Sequence, residues 1–207
     1  MKIFDISRPI SKDEAVYPGN TVPALTWLKV FSRDRSNLGA ISMGLHTGSH
    51  LDAPLHYVRN GKPVGGIVLE KCLGWCRVID FTKAKLEISG NDIRRIKPNT
   101  GEILLLKTRN SFSNPGRFDP KFVHVGEEAA KMLVRTKIKA VGIDGPSIRK
   151  FRMKPDVVHP LLLKAGILIY EGLQFRNVNA GRYFFIGLPL KLKEAEASPV
   201  RAILIRD

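Results

Sequence analysis

Short apolar runs rich in Ile, Val and Leu recur along this chain: "CRVIDF" (76–81), "EILLLKT" (102–108), "AVGIDG" (140–145), "GILIYEG" (166–172), "YFFIGLPL" (183–190) and "VRAILIR" (200–206). Runs of this length, bounded by turn residues, read as buried strands rather than helices. Helical patterns fall between some of them. "ISGNDIRRI" (88–96) has Ser89 or Asn91 placed to cap it, "VGEEAAKMLVRT" (125–136) carries glutamates in its first turn, and "DVVHPLLLKAG" (156–166) closes on Gly166. Turn signals separate the elements, as in "NPG" (114–116) and "NAG" (179–181). No repeat, low-complexity segment or interdomain linker interrupts the order. The expectation is one α/β domain over residues 1–207, built around a mixed sheet curled toward a barrel.

Only five histidines occur in the chain, and three of them stand with an aspartate in "HTGSHLDAPLH", residues 46–56. In a helix His46 and His50 would share a face, but Asp52 and His56 would point roughly opposite, and Gly48 and Pro54 disfavour a helix interior. In an extended chain His46, His50, Asp52 and His56 have the same parity and leave on one side. A straight strand would hold His46 and His50 about 13 Å apart, so the chain must bend between them. Gly48 supplies the freedom for that bend, and Pro54 ends ladder pairing beyond Asp52. The expectation is a strand running into a curled loop. Two neutral imidazoles and a carboxylate suit a zinc or manganese ion with positions left open for water, and His56 would stand beside them as a base. Histidines satisfied by ordinary hydrogen bonds are the plainer alternative for any one of them.

His159, early in a helical pattern, and Glu171, at the end of a strand, place polar tips where ligands commonly approach a sheet. Each also has a plain reading as a helix-surface or strand-end residue, and Asp144, ending "AVGIDG", shares the ambiguity. Tyr17, Trp27, Phe112 and Phe175 are candidates for an aryl pocket or for ordinary core positions.

A net charge of +15 raises nucleic-acid binding as a rival function, with the histidine cluster then holding a purely structural ion. The basic residues are scattered in short groups with acids between them and accompany no nucleic-acid motif, which favours a solvated surface. Structural zinc sites are usually closed, cysteine-rich sets, and neither cysteine lies beside the cluster in sequence. A basic field would also steer an anionic substrate toward a cleft. A single glutamine, Gln174, among many charged residues hints at a heat-adapted source. Cys72 and Cys76 are too few for a disulfide scaffold and read as core thiols. No apolar run approaches the roughly 20 residues of a membrane span, and "MKIFDISRPI" lacks the pattern of a secretory signal, so a cytoplasmic protein is expected.

"HTGSHLDAPLH" resembles the HxGTHxDxPxH signature of the metal-dependent cyclase-like hydrolases, a family that includes bacterial kynurenine formamidase. The resemblance extends to "YPGN" (17–20), "VGIDGPSI" (141–148), "HPLLLKAGILIYEGL" (159–173) and "LPLKLKEAEASPVRAILI" (188–205). It implies a swivelling β/β/α fold and a homo-oligomer, dimer or larger. It also implies that His46, His50 and Asp52 hold one divalent ion, that Asp52, His159 and Glu171 hold or complete a second site, and that His56 is the general base. The implied reaction is metal-dependent hydrolysis of an aryl formamide, or of a cyclic amide as in isatin-type hydrolases. Three positions depart from the pattern: Ser49 replaces a threonine, Asn20 an aspartate, and Arg149 stands where an acid often follows the Ser-Ile pair.

Overall fold

The computed structural model describes residues 1–206. In chain order the strands are β1 (Lys2–Asp5), β2 (Ala24–Lys29), β3 (Leu38–Ser42), β4 (His50–Asp52), β5 (Leu73–Phe81), β6 (Glu87–Ile88), β7 (Ile103–Thr108), β8 (His124–Val125), β9 (Ala140–Ile143), β10 (Leu168–Glu171), β11 (Gly181–Pro189) and β12 (Ala197–Arg206). The helices are α1 (Phe31–Asp34), α2 (Gly90–Ile96), α3 (Glu127–Thr136) and α4 (Val158–Lys164). One mixed sheet runs in the order β1-β12-β11-β5-β7-β9-β10-β4, and β4 pairs again with β12. That last pairing closes β12, β11, β5, β7, β9, β10 and β4 into a barrel. The long β12 serves β4 with Ala197–Pro199 and β1 with its final residues. β5, β7, β9 and β10 run parallel, and the other barrel pairings are antiparallel.

Alternation along β7 shows why its sequence is apolar without interruption. Ile103 and Leu105 join the core inside the barrel, with Leu51, Tyr170 and Phe185. Leu104 and Leu106 face outward against Ile93 of α2, Leu133 of α3 and Leu162 of α4. A parallel strand covered on both faces has no polar side to show. Cys72 and Cys76 are free thiols in the inner core, as expected, and burial pushes Cys76 up to about 12.

Of the two candidate caps of α2, Ser89 takes the role: its hydroxyl accepts from the Asp92 amide at 3.3 Å, and Asp92 accepts from the Ser89 amide at 2.8 Å. The α4 helix starts two residues later than its pattern suggests. The Asp156 carboxylate accepts from the backbone amides of Val158 (3.1 Å) and His159 (3.3 Å) instead of entering the helix.

A hairpin of β2 and β3 pairs only with itself and has every residue exposed. Its sequence carries no one-faced alternation, which is why the strand pattern passes over it. Trp27 therefore stands in solvent and not in a pocket.

Asp144, at the end of β9, is a structural clamp. Its two oxygens accept from the Thr108 amide (2.8 Å) and hydroxyl (2.7 Å) and from the Ser111 amide (3.0 Å) and hydroxyl (2.6 Å). The clamp joins the ends of β7 and β9 to the loop beyond β7. Asp144→Ala would strand four buried donors and is expected to cost roughly 3 kcal/mol. A lowered urea midpoint with an unchanged slope would show it.

Candidate metal centre

The site is built on β4. Leu51 points into the barrel core with no exposure, so its neighbours His50 and Asp52 point the opposite way. Ahead of the strand the chain turns at Gly48, where φ is +62°, and that turn brings His46 back over Asp52. The order therefore differs from a strand running into a loop: the bend comes first, then three residues of strand, then a 3-10 turn from Pro54 to His56. Ladder pairing ends at Asp52, before Pro54. Gly172 (φ +66°) follows β10, and any Cβ there would collide with the Gly48 carbonyl, so the loop and the strand end pack backbone to backbone. Ser49 fastens the same junction, donating to the Gly172 carbonyl at 2.6 Å and accepting from the Arg8 amide at 2.9 Å. The hydroxyl is the group in use, which explains why serine serves where the family pattern has threonine.

Glu171 pairs directly across from His50 in the β10–β4 ladder. His159, on the first turn of α4, reaches the same point from the other side. Six side chains singled out by sequence thus meet. His46 Nδ1 lies 3.0 Å and His50 Nε2 3.6 Å from Asp52 Oδ1. His159 Nε2 lies 3.0 Å from Glu171 Oε1 and 3.6 Å from Asp52 Oδ2. His50 Nε2 lies 3.4 Å from Glu171 Oε2. The His56 ring centroid is 4.4 Å from that of His46 and 5.7 Å from that of His159. His159 is buried, not a helix-surface residue, and Glu171 is 4% exposed.

Burial and charge act against each other here. Burial alone would raise Glu171, but the hydrogen bond with His159 and the nearby His50 imidazole hold it well below the usual carboxylate range. Burial would lower His159, yet its contacts with Asp156 and Glu171 carry it up to about 10. His56 is pushed down by burial, with the His46 and His159 rings adding to the effect, and so favours the neutral form.

Both Asp52 oxygens and His50 Nε2 are buried and have no hydrogen-bond partner. Such atoms are costly unless something satisfies them. A divalent cation fits: the donors are imidazole nitrogens and carboxylate oxygens, they converge, and Asp52 presents both lone-pair faces. The tightest groups are His50, Asp52 and Glu171 on one side and His46, Asp52 and His56 on the other, with ligand atoms within 4.8 Å of one another. Asp52 is common to both, as in the division implied by resemblance, but His50 faces Glu171 here.

Three neighbours of the cluster were not singled out by sequence. Glu196 Oε1 lies 3.4 Å from His46 Nε2. Asp156 accepts from His159 Nδ1 at 2.7 Å, which turns Nε2 toward Glu171 and Asp52, and Arg149 Nε anchors that carboxylate at 2.8 Å. The departure at Arg149 thus has a place in the structure: it holds the residue that orients His159. Tyr57 stacks on the His159 ring, with centroids 4.9 Å apart and planes 10° apart. The acid-histidine spacing of three residues at the start of a helix was the signal available for Asp156.

A cleft of about 680 Å³, counting its mouth, opens beside His46 and His50 and is walled by Tyr17, Phe118 and Phe122. Of the four aromatic candidates only Tyr17 lines it. Phe175 is core, and Phe112 lies half-exposed against the Lys107 and Arg176 cations.

Residues 4–150 match the model of the Cyclase family. The chain belongs to that family. Kynurenine formamidase from Salinibacter ruber is 34% identical over 206 residues, 99% of this chain and 97% of the relative. A predicted metal-dependent hydrolase from Bacillus stearothermophilus superposes with a TM-score of 0.88 at 35% identity, covering 98% of this chain and 97% of that one. Isatin hydrolase A from Labrenzia aggregata shares the fold, with a TM-score of 0.86 at 23% identity over 98% and 93% of the two chains. The chain has the cyclase-like α/β fold that the resemblance implied, with the mixed sheet curled into a barrel that the strand pattern led one to expect.

Because Asp156 fixes the tautomer of His159, Asp156→Asn is expected to weaken metal binding by about 10–100-fold. A competition titration with a chromophoric chelator would read the loss.

Proposed function

We propose that this protein is a metal-dependent amide hydrolase that acts on an aryl formamide, with N-formylkynurenine as the first substrate to test. The observation that carries the reading is the orphaned, buried Asp52 carboxylate set among three imidazoles and Glu171 beside an aromatic-walled cleft. The full-length likeness to a kynurenine formamidase supports it.

His46, His50, Asp52, His159 and Glu171 would hold one or two ions, zinc or alternatively manganese. A divalent ion supplies the Lewis acidity that activates water and polarises an amide carbonyl at neutral pH. The chain's own residues do the rest. Tyr17, Phe118 and Phe122 receive the aryl ring next to His46 and His50. His56, neutral and packed behind His46, accepts the proton released as water adds to the formyl carbon and returns it to the departing amine. Formate and the free arylamine leave, with no covalent enzyme intermediate.

Purified protein is expected to hydrolyse N-formylkynurenine, to lose turnover on chelation and to regain it with zinc or manganese. Turnover of isatin in place of the formamide by the metal-loaded protein would move the reading to cyclic amides. His56→Ala should keep its metal and lose about 100-fold or more in kcat, in line with general-base roles. His50→Ala and Asp52→Ala should lose the metal as well. Metal analysis beside each assay separates the two cases, and a His56→Ala protein that loses metal would make His56 a ligand.

The hairpin bears on assembly. Leu25, Trp27, Leu28, Phe31, Leu38 and Ile41 are each about half exposed or more, and a concentration of large apolar side chains on one exposed element marks a contact surface. We take it to be the contact with a second copy, giving a homodimer or larger oligomer. A Leu25→Glu, Trp27→Glu double variant should elute as a monomer, with light scattering reporting the mass. Among the described residues no helix is long and apolar enough to cross a membrane, and the two free, buried thiols suit a cytoplasmic setting.

A further inference from the structure

Arg8 is a cation without an anion. It follows β1 on a segment that runs beside the metal-site loop, where its amide is tied to Ser49. Its side chain lines the same cleft as His46, His50 and Tyr17. Nη2 donates to the carbonyls of Asp144 (3.0 Å) and Asn110 (3.5 Å), which fixes the plane of the guanidinium. Nε is buried and has no partner.

None of the nearby acids answers it. The Asp144 carboxylate is fully taken up by Thr108 and Ser111, and Arg8 touches only its backbone carbonyl. Glu14 is near enough to be felt but forms no ion pair with it. Asp119, the acid on the cleft wall, pairs with Arg109 at 3.7 Å and accepts from the Lys121 amide at 2.8 Å. A half-buried guanidinium, held by carbonyls and carrying unspent N–H groups, suits a planar anion.

We propose that Arg8 is a specificity-determining residue that binds the side-chain carboxylate of an aryl amide substrate, a group that N-formylkynurenine carries. Tyr17, Phe118 and Phe122 take the ring, and the carboxylate reaches Arg8. The inference deepens the hydrolase reading and rests on it for the position of the scissile amide. Its recognition element, a carboxylate on Arg8, stands on the cleft alone.

The test uses two formamides of nearly equal shape, 4-(2-formamidophenyl)-4-oxobutanoate and its primary amide. Metal-loaded wild-type protein is expected to favour the acid over the amide by roughly tenfold or more in kcat/KM, chiefly through KM, as suits a charge-assisted bidentate contact. In Arg8→Gln that ratio should fall to near one. Arg8→Lys, which keeps the charge without the fork, should fall between. A ratio that persists in Arg8→Gln while both rates drop together would mark Arg8 as structural and overturn the proposal, as would a wild-type ratio near one. If neither formamide is turned over by metal-loaded protein, the formamidase reading fails and Arg8 is judged by binding. Calorimetry of metal-free protein with 4-oxo-4-phenylbutanoate and its amide then decides. Tighter binding of the acid, lost in Arg8→Gln, supports the assignment; equal affinities overturn it.

Discussion

The barrel closes through three residues. β4 is zipped to β10 along one edge and to β12 along the other, so its backbone groups are committed on both sides. Its side chains then have no choice of direction. Leu51 fills the core, while His50 and Asp52 are turned to the site face. A slip of one residue would put a carboxylate and an imidazole into the apolar interior and Leu51 among the charges. Register and ligand geometry are therefore a single constraint, and every other part of the site is referred to it: Glu171 by direct cross-strand pairing, His159 through the helix that packs on the parallel strands, His46 through the bend at Gly48.

Much of this was legible in the sequence because it depends on period and parity. A shared parity of His46, His50, Asp52 and His56 excluded a helix and required a bend, and the glycine needed for the bend was in place. The parallel strands announced themselves by being apolar on both faces. What stayed hidden has no local period. The β2–β3 hairpin buries nothing within its own chain, so hydrophobic alternation cannot report it. Glu196, Phe118 and Phe122 reach the site from loops and strand ends whose meeting is a property of the closed barrel. Arg149 read as a departure from a family pattern, and its role as anchor of Asp156 appears only when the helix start is seen.

The polar groups of the site fall into two kinds. Asp144, Ser49 and Asp156 have their hydrogen bonds complete, and they hold segments together. Asp52, His50 and Arg8 have atoms with none. Proteins tolerate few such atoms; His50 and Arg8 line the same cleft and Asp52 lies beside His50, the carboxylate and imidazole suited to a cation and the guanidinium to an anion. The groups with complete hydrogen bonds thus make the frame, and Arg8 and Arg117 bring part of the +15 charge into the cleft itself.

One consequence of the three-residue closure concerns the lifetime of the protein. An ion that binds only the closed barrel stabilises it by mass action in proportion to the logarithm of free metal. The residues proposed to hold it lie on the seam strand and its neighbour β10, with His46 ahead of the strand and His159 on α4, so withdrawing the metal would loosen the barrel at its narrowest join. Opening of a short, locally stabilised segment precedes global unfolding in such cases and is the species that proteases cut. Metal supply would then bear on the lifetime of the folded chain as well as on the activity of each molecule.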